Sequence, residues 1–467
     1  MDGTTSAQPG TIASPTAALA VHAAALDAAS LPQAAQRGAA RHLADTLGAV
    51  VAGRGQPTLV AAMAVAEELG GRGEVPAIGT GRRFDALSAA TLMAIGAHAI
   101  ELDDGNREGS FHPGTVVVPA VAAAAWQLDV SGAEVIAAVA AGYEVAGRIA
   151  RALHPDAGRR GFQTTPVAGV MGAAAAVGRL LRLDADAMEQ AIGVAASSSG
   201  GLFAYLTGGG TVKKFHPGHA AREGLLAAFM VARGAVQGPR GVLETKAGVL
   251  QAFGGLASWP ARAGQPGAPP IVAASYLKPY PCCRHIHPAI DALLELRARH
   301  ALDPDEVARM EVGTYAVAMP HATLPWDDFV IAQLSFPYVM GVALRTGRVE
   351  LASFDAAARR DPAVLRDVAK VSVAVDPDCE ANYPAQGPAR VTLLLRDGRR
   401  LTSYVPEPLG SPARPLPEEA FTAKLRMTFD GWLDAPQAAR ALEMLADPAA
   451  LPRWRTLHAL LAKEACR

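Results

Sequence analysis

From Thr16 to about Gly255 the apolar positions recur with the period of about 3.6 residues that marks helices, and alternating strand patterns are almost absent. The pattern predicts helices over Ala17–Ala29, Leu31–Ala52, Pro57–Leu69, Arg83–Glu101, Thr115–Leu128, Ser131–Leu153, Thr165–Leu181, Asp184–Ser197 and His219–Arg233. Ser131-Gly-Ala-Glu134 is a capping-box pattern, and Asp184 precedes an acidic first turn. Gly53, Gly234 and Gly238 read as helix stops or turns. From about Tyr276 the texture changes. A helix at His287–His300 is followed by β-rich runs at Val307–Val317, Val371–Val375, Ala389–Leu395 and Arg400–Val405. Asp397-Gly398 between the last two is a strong hairpin signal. Helical texture returns from Pro417 to Arg467. The fold class expected is mainly α with an α+β lid. A helical domain would span residues 16–268 and the lid 269–408, with C-terminal helices at 409–467 completing the helical domain. A cleft between two such domains is a usual place for a small-molecule site.

Composition sharpens this picture. A chain of 467 residues is too long for one hydrophobic core. Aromatics are only 5% while alanine and glycine abound, which suits helices that approach closely. With 43 basic and 44 acidic residues, no field of one sign favours nucleic acid or an anionic membrane, so an anionic substrate must be held by a few local cations. Four cysteines, Cys282, Cys283, Cys379 and Cys466, without a secretory pattern ahead of them, point to a reduced, cytoplasmic setting, and no three have iron–sulfur spacing. The polar stretch Met1–Pro15 reads as a frayed tail. The apolar runs near Thr115–Trp126 and Val167–Leu181 are short or broken, and read as core helices rather than membrane spans.

Four clusters could carry chemistry. Glu101-Leu-Asp-Asp104 followed by His112-Pro-Gly114 places three carboxylates near an imidazole, as proton abstraction and leaving-group protonation require; an acidic helix end running into a solvated loop is the bland reading. A hard-cation site is disfavoured because no second acidic set matches it. Gly208-Gly-Gly-Thr-Val-Lys-Lys-Phe-His-Pro-Gly218, with His219 and Arg222 after it, sets Lys213 and Lys214 beside a helix start and could hold a carboxylate; its spacing is not that of a Walker A loop. Phe215-His-Pro-Gly218 echoes Phe111-His-Pro-Gly114, and both read as turns at helix starts. Lys278-Pro-Tyr-Pro-Cys-Cys-Arg-His-Ile-His287 gathers two cations, two histidines and two thiols. Its contiguous donors, with no distant Cys or His to complete a set, tell against zinc. Cys283 as a nucleophile lacks a locatable base, and Cys282 reads as a buried small hydrophobe. Tyr338, in Gln333-Leu-Ser-Phe-Pro-Tyr338, could donate a proton but is more commonly a core tyrosine.

These segments, in this order and with Gly142-Tyr-Glu-Val-Ala-Gly-Arg148, resemble the MmgE/PrpD family from about Thr16 to Ala439. The resemblance implies a large helical domain, a smaller α/β lid, a homodimer, and an active site between the domains without metal or organic cofactor. Activities in that family are 2-methylcitrate dehydration, cis-aconitate decarboxylation and iminodisuccinate epimerisation, all proton transfers at carbons activated by carboxylates. His112, Lys213, Lys278 and Tyr338 match the family's active-site positions. Glu101 stands where the decarboxylase has Asp, Gly105 roughly where it has Thr, and Gln163 and Cys283 where it has His; these departures argue against decarboxylation. The expectation is therefore a lyase, first a dehydratase, acting on a small polycarboxylate, with epimerisation or mere binding of a small acid as alternatives. His112 would move the proton, oriented by Asp103 or Asp104. Lys213, Lys278 and Arg284 would hold carboxylates, and Tyr338 or His287 would serve the opposite face or the leaving group. Glu101, Gln163 and Cys283 would complete the substrate contacts.

Overall fold

A computed structural model of the chain describes residues 14–267 and 269–463. The tail expected to fray, Met1–Pro15, lies outside the described residues as far as residue 13. Helix makes up 58% of the molecule and strand 9%, so the mainly helical class holds. Backbone contacts divide the chain into two units. Unit 1 holds the described residues up to 99, then 104–275 and those from 425 onward; unit 2 holds 100–103 and 276–424.

Unit 1 is built from helices whose small residues face one another. Helices Gly132–Leu153 and Thr164–Leu180 cross so closely that a Cβ on Gly142 would stand 3.0 Å from the Gly172 carbonyl oxygen, and one on Gly172 2.6 Å from that of Gly142. Both predicted caps form. The Ser131 hydroxyl accepts from the Glu134 amide and the Glu134 carboxylate from the Ser131 amide, while Asp184 accepts from Ala187 N–H at 2.9 Å. The sequence reading misplaced two helix starts. The helix expected at Arg83–Glu101 runs Ala86–His98, because β1 (Val75–Ala77) pairs antiparallel with β2 (Arg82–Phe84) and Asp85 caps the helix through the amides of Leu87 and Ser88. The helix expected at His219–Arg233 runs Val212–Ala232, so Phe215-His-Pro-Gly218 lies inside it and is not a turn at its start. Pro217 lies in the second turn of that helix, where its ring removes the bond an N–H would have made to the Lys213 carbonyl and crowds that carbonyl, a cost that packing in the folded unit offsets. The C-terminal helices Ala435–Ala446 and Trp454–Leu461 return to this unit, where the Trp454 amide donates to the Val130 carbonyl at 2.9 Å.

Unit 2 carries a four-stranded sheet of order β4-β3-β5-β6, from β3 (Val307–Thr314), β4 (Val371–Val375), β5 (Ala389–Leu395) and β6 (Arg400–Val405). β3 and β4 are parallel; the other pairs are antiparallel. Gly398 supplies the left-handed residue of the β5–β6 hairpin at φ +88°, as the Asp-Gly signal requires. Helices His287–His300 and Phe336–Thr346 share the unit's apolar core with Met310, Val391 and Leu393 from the sheet. Among the described residues no single helix is long and apolar enough to cross a membrane.

Candidate functional site

In unit 1 the chemistry gathers on the loop that follows residue 103. Asp104 is fully buried and its carboxylate joins three helices. Oδ2 accepts from His42 Nδ1 at 2.7 Å and from the Tyr143 hydroxyl at 2.6 Å, and Oδ1 accepts from the Gly114 amide at 3.0 Å. Burial first, then the Asp104 charge, raises the Tyr143 phenol well above its ordinary value, so it stays protonated and donates. Asn106 and Phe111 close the loop on itself, their amides donating to each other's carbonyls at 2.9 and 3.3 Å.

This frame sets His112. Its amide donates to Thr165 Oγ1 at 3.1 Å, and its Nδ1 lies 2.9 Å from the Asp104 carbonyl oxygen. A carbonyl only accepts, so Nδ1 carries the hydrogen and Nε2 is the basic nitrogen of the neutral ring. The ring is half-buried and meets His98 edge-on at 4.8 Å. The backbone of Asp104 thus orients His112, while its carboxylate is engaged with His42, Tyr143 and Gly114. That corrects the expectation for the Asp104 carboxylate.

Gln163, also in unit 1, is buried and its Oε1 accepts from His216 Nδ1. Lys213 is half-buried in the first turn of helix Val212–Ala232, and its neighbour Lys214 is buried.

In unit 2, Lys278 is 1% exposed. Its Nζ donates to the Glu101 carbonyl at 3.1 Å and to Glu101 Oε2 at 3.3 Å, with Asp103 Oδ1 at 3.9 Å. Desolvation opposes the ammonium, but the two carboxylates outweigh it and raise its pKa, so it is charged. Glu101 presents both carbonyl and carboxylate to one ammonium from the left-handed region, at φ +54°, a conformation that stores about 1–2 kcal/mol in a non-glycine residue. Gln333 fixes this arrangement: its amide nitrogen donates to the carbonyls of Ile100 at 2.6 Å and Pro281 at 2.7 Å.

Cys283 lies with its Sγ 3.6 Å from His321 Nε2. Burial works against the thiolate, but His321 and the His285 backbone outweigh it and hold the thiol below its ordinary value. His321 is the distant imidazole that the sequence reading did not find. Cys282 is buried and its thiol is pushed up by desolvation, the inert role expected of it.

Three candidates have their polar atoms turned to the protein. Arg284 donates to the carbonyls of Leu409 at 2.8 Å and Pro408 at 3.2 Å and to Ser411 Oγ at 2.8 Å, and stacks over Tyr276; it anchors the 408–411 loop rather than waiting for a carboxylate. His287 is fully buried and lies against the Cys282 carbonyl and the Arg284 guanidinium, each at 3.2 Å. Desolvation, aided by the Arg284 charge, keeps it neutral. The Tyr338 hydroxyl donates to the Ser353 carbonyl at 2.5 Å within an apolar core, and burial raises its pKa to about 12. These geometries favour structural roles over the catalytic and binding ones assigned from sequence.

His42 and Gln333 were missed as site residues, and Tyr143 was noticed only as part of a family-like stretch. His42 carries no local signal; it is one buried position on a long helix. A buried tyrosine hydroxyl or glutamine amide implies a partner without saying which.

Residues 17–261 match the MmgE/PrpD N-terminal domain and residues 280–447 the MmgE/PrpD C-terminal domain. A cis-aconitate decarboxylase of Aspergillus terreus is 29% identical over 381 residues, covering 75% of this chain and 76% of that protein. A cis-aconitate decarboxylase-like protein of Aspergillus oryzae is 36% identical over 167 residues, 34% of each chain. With both domains matched in order over most of its length, the chain belongs to the MmgE/PrpD family.

Proposed function

We propose that the protein is a lyase that acts on a small polycarboxylate by proton transfer at a carbon next to a carboxylate, with elimination of water as the first reading. The observation that carries it is His112, whose Nδ1–H is held by the Asp104 carbonyl so that Nε2 is the base. In this reading Nε2 takes the proton from the activated carbon, the electron pair left behind forms the carbon–carbon double bond, and the C–O bond at the adjacent carbon breaks as its oxygen takes a proton from solvent and departs as water. Lys213, half-buried in the first turn of helix Val212–Ala232, is the cation suited to a substrate carboxylate, whereas the Lys278 ammonium is already matched by Glu101 and Asp103. The leaving-group proton is not assigned to Tyr338 or His287, whose hydrogens are engaged with backbone carbonyls.

Decarboxylation is the second reading, favoured by similarity to cis-aconitate decarboxylase. Gln163 and Cys283 speak against it, since they stand where the resemblance gives the decarboxylase histidines. Dimerisation is proposed on the same resemblance, and a cytoplasmic setting on the cysteine usage. The test is incubation in deuterium oxide with citrate-, aconitate- and aspartate-like acids. Loss of water with deuterium uptake supports the dehydratase and loss of carbon dioxide the decarboxylase. Exchange without net product favours epimerisation, and no exchange on any acid favours a binding protein. His112→Ala should lower turnover by about 100-fold or more, and near-normal turnover rejects the proton-transfer role.

A further inference from the structure

Within unit 2 a thiol and two imidazoles from separated stretches of chain come together. Cys283 and His285 lie in the turn ahead of helix His287–His300, and His321 ends the short helical segment Ala316–His321. One donor atom from each lies within 4.8 Å of the other two. We propose that Cys283, His285 and His321 form a binding site for a thiophilic divalent cation of the zinc class, which ties the 283–285 turn to the segment ending at His321.

Three geometric features support this. First, Cys283 Sγ and His321 Nε2 are 3.6 Å apart. A tetrahedral zinc with Zn–S of about 2.3 Å and Zn–N of about 2.0–2.1 Å has an S···N edge of about 3.6 Å. The pair therefore already stands at ligand spacing, although 3.6 Å also suits a weak S–H···N hydrogen bond. Second, both imidazoles are oriented from behind. His321 Nδ1 lies 3.1 Å from the Leu334 carbonyl oxygen, which can only accept, so Nε2 turns its lone pair toward the thiol. His285 Nδ1 lies 2.7 Å from the Tyr315 hydroxyl, which leaves Nε2 as its ligating nitrogen. Ligating histidines characteristically have the other ring nitrogen held in this way. Third, charge and access fit. One thiolate and two neutral imidazoles leave a dication with a net charge of one. His285 and His321 are half-buried, so an ion can enter. The S,N,N donor set selects zinc-class ions over magnesium or calcium, which take oxygen ligands.

The site takes up Cys283, one of the substrate contacts expected from sequence, and is tested without substrate, so its failure leaves the lyase reading untouched. The full-length protein is stripped with a chelator and titrated with Co²⁺, then Zn²⁺. One equivalent of Co²⁺ should raise a sulfur-to-metal charge-transfer band in the near ultraviolet, which Zn²⁺ then abolishes. Cys283→Ser should remove the band, and Tyr315→Phe should weaken binding by about 10-fold, as loss of a group that orients a ligand does. If the serine variant does not fold, His321→Asn replaces it, with a loss of affinity exceeding 10-fold expected. Absence of the band in the wild-type protein, or its persistence at full strength in the variant used, overturns the site.

Discussion

Replacing Lys278 by methionine is the sharpest probe of how unit 2 holds its buried charges. The substitution keeps most of the side-chain volume and removes the ammonium. At an effective dielectric of about 20, an ammonium 3.3 Å from Glu101 Oε2 and 3.9 Å from Asp103 Oδ1 gains about 5 and about 4 kcal/mol of Coulomb energy. Desolvation of three ions that are each at most 2% exposed offsets most of this, so the cluster's net contribution to folding is small. The loss on mutation is not small. Lys278→Met takes the ammonium away from two buried carboxylates, and breaking a buried pair in this way costs about 3–5 kcal/mol. Adding Glu101→Gln should then recover part of the loss, because one of the two carboxylate charges that faced it disappears. The assay is urea unfolding, with hydrogen exchange read on helix His287–His300 to assign the change to unit 2. A loss below about 1 kcal/mol for Lys278→Met, or a double variant less stable than the single, would refute the reasoning.

Three further perturbations test other parts of the structure. Gly114→Ala would place a Cβ 2.3 Å from Thr46 Oγ1, 2.7 Å from Asp104 Oδ1 and 2.8 Å from the Tyr143 hydroxyl oxygen. Overpacking costs about 1–3 kcal/mol and outweighs the gain of about 1 kcal/mol in helix propensity, so urea unfolding should show a net loss, relieved by Thr46→Ala. His458 is buried with Nε2 at 2.7 Å from the Pro76 carbonyl and Nδ1 accepting from the Trp454 indole, and desolvation lowers its pKa to about 4. The unfolded chain takes up this proton near pH 6.5 and the folded one near pH 4, so stability is full above 6.5 and falls by about 1.4 kcal/mol per pH unit between the two. His458→Gln should flatten that part of the stability–pH curve; an unchanged slope would show that another group is responsible. Tyr338→Phe should leave turnover within about threefold of the wild type and lower stability by about 1 kcal/mol; a loss of 100-fold in kcat would restore the catalytic role.

Elements with a strong local signature were legible. The capping box at Ser131, the Asp397-Gly398 hairpin and helix His287–His300 all stand where their residues placed them. The start at Val212 was not, because proline and glycine at 217 and 218 suggest a turn, and only packing in the folded unit lets a helix run through them. Residue types were similarly informative about the site and their environments were not. The sequence marks Asp104 and His112 as chemistry-bearing, but whether the carboxylate or the carbonyl of Asp104 meets the imidazole depends on His42 and Tyr143, which lie 62 and 39 residues away. Arg284 illustrates the same limit. A cation in a loop rich in histidine and cysteine suggests an anion site, yet its donors face a loop more than 120 residues further along the chain.

The passage of the chain out of unit 1 and back has a consequence for its synthesis. Gly48 packs against Leu425 and Thr428, and the strand residue Pro76 receives its hydrogen bond from His458. The early helices therefore leave the ribosome with partners still untranslated, and all of unit 2 from residue 276 must be made first. Until then the face of helix Gln33–Ala52 around Gly48 lacks part of its native cover, so the nascent chain is expected to depend on holdase chaperones. A ribosome stalled shortly before residue 425 should display a protease-sensitive N-terminal half beside an α+β segment already able to collapse.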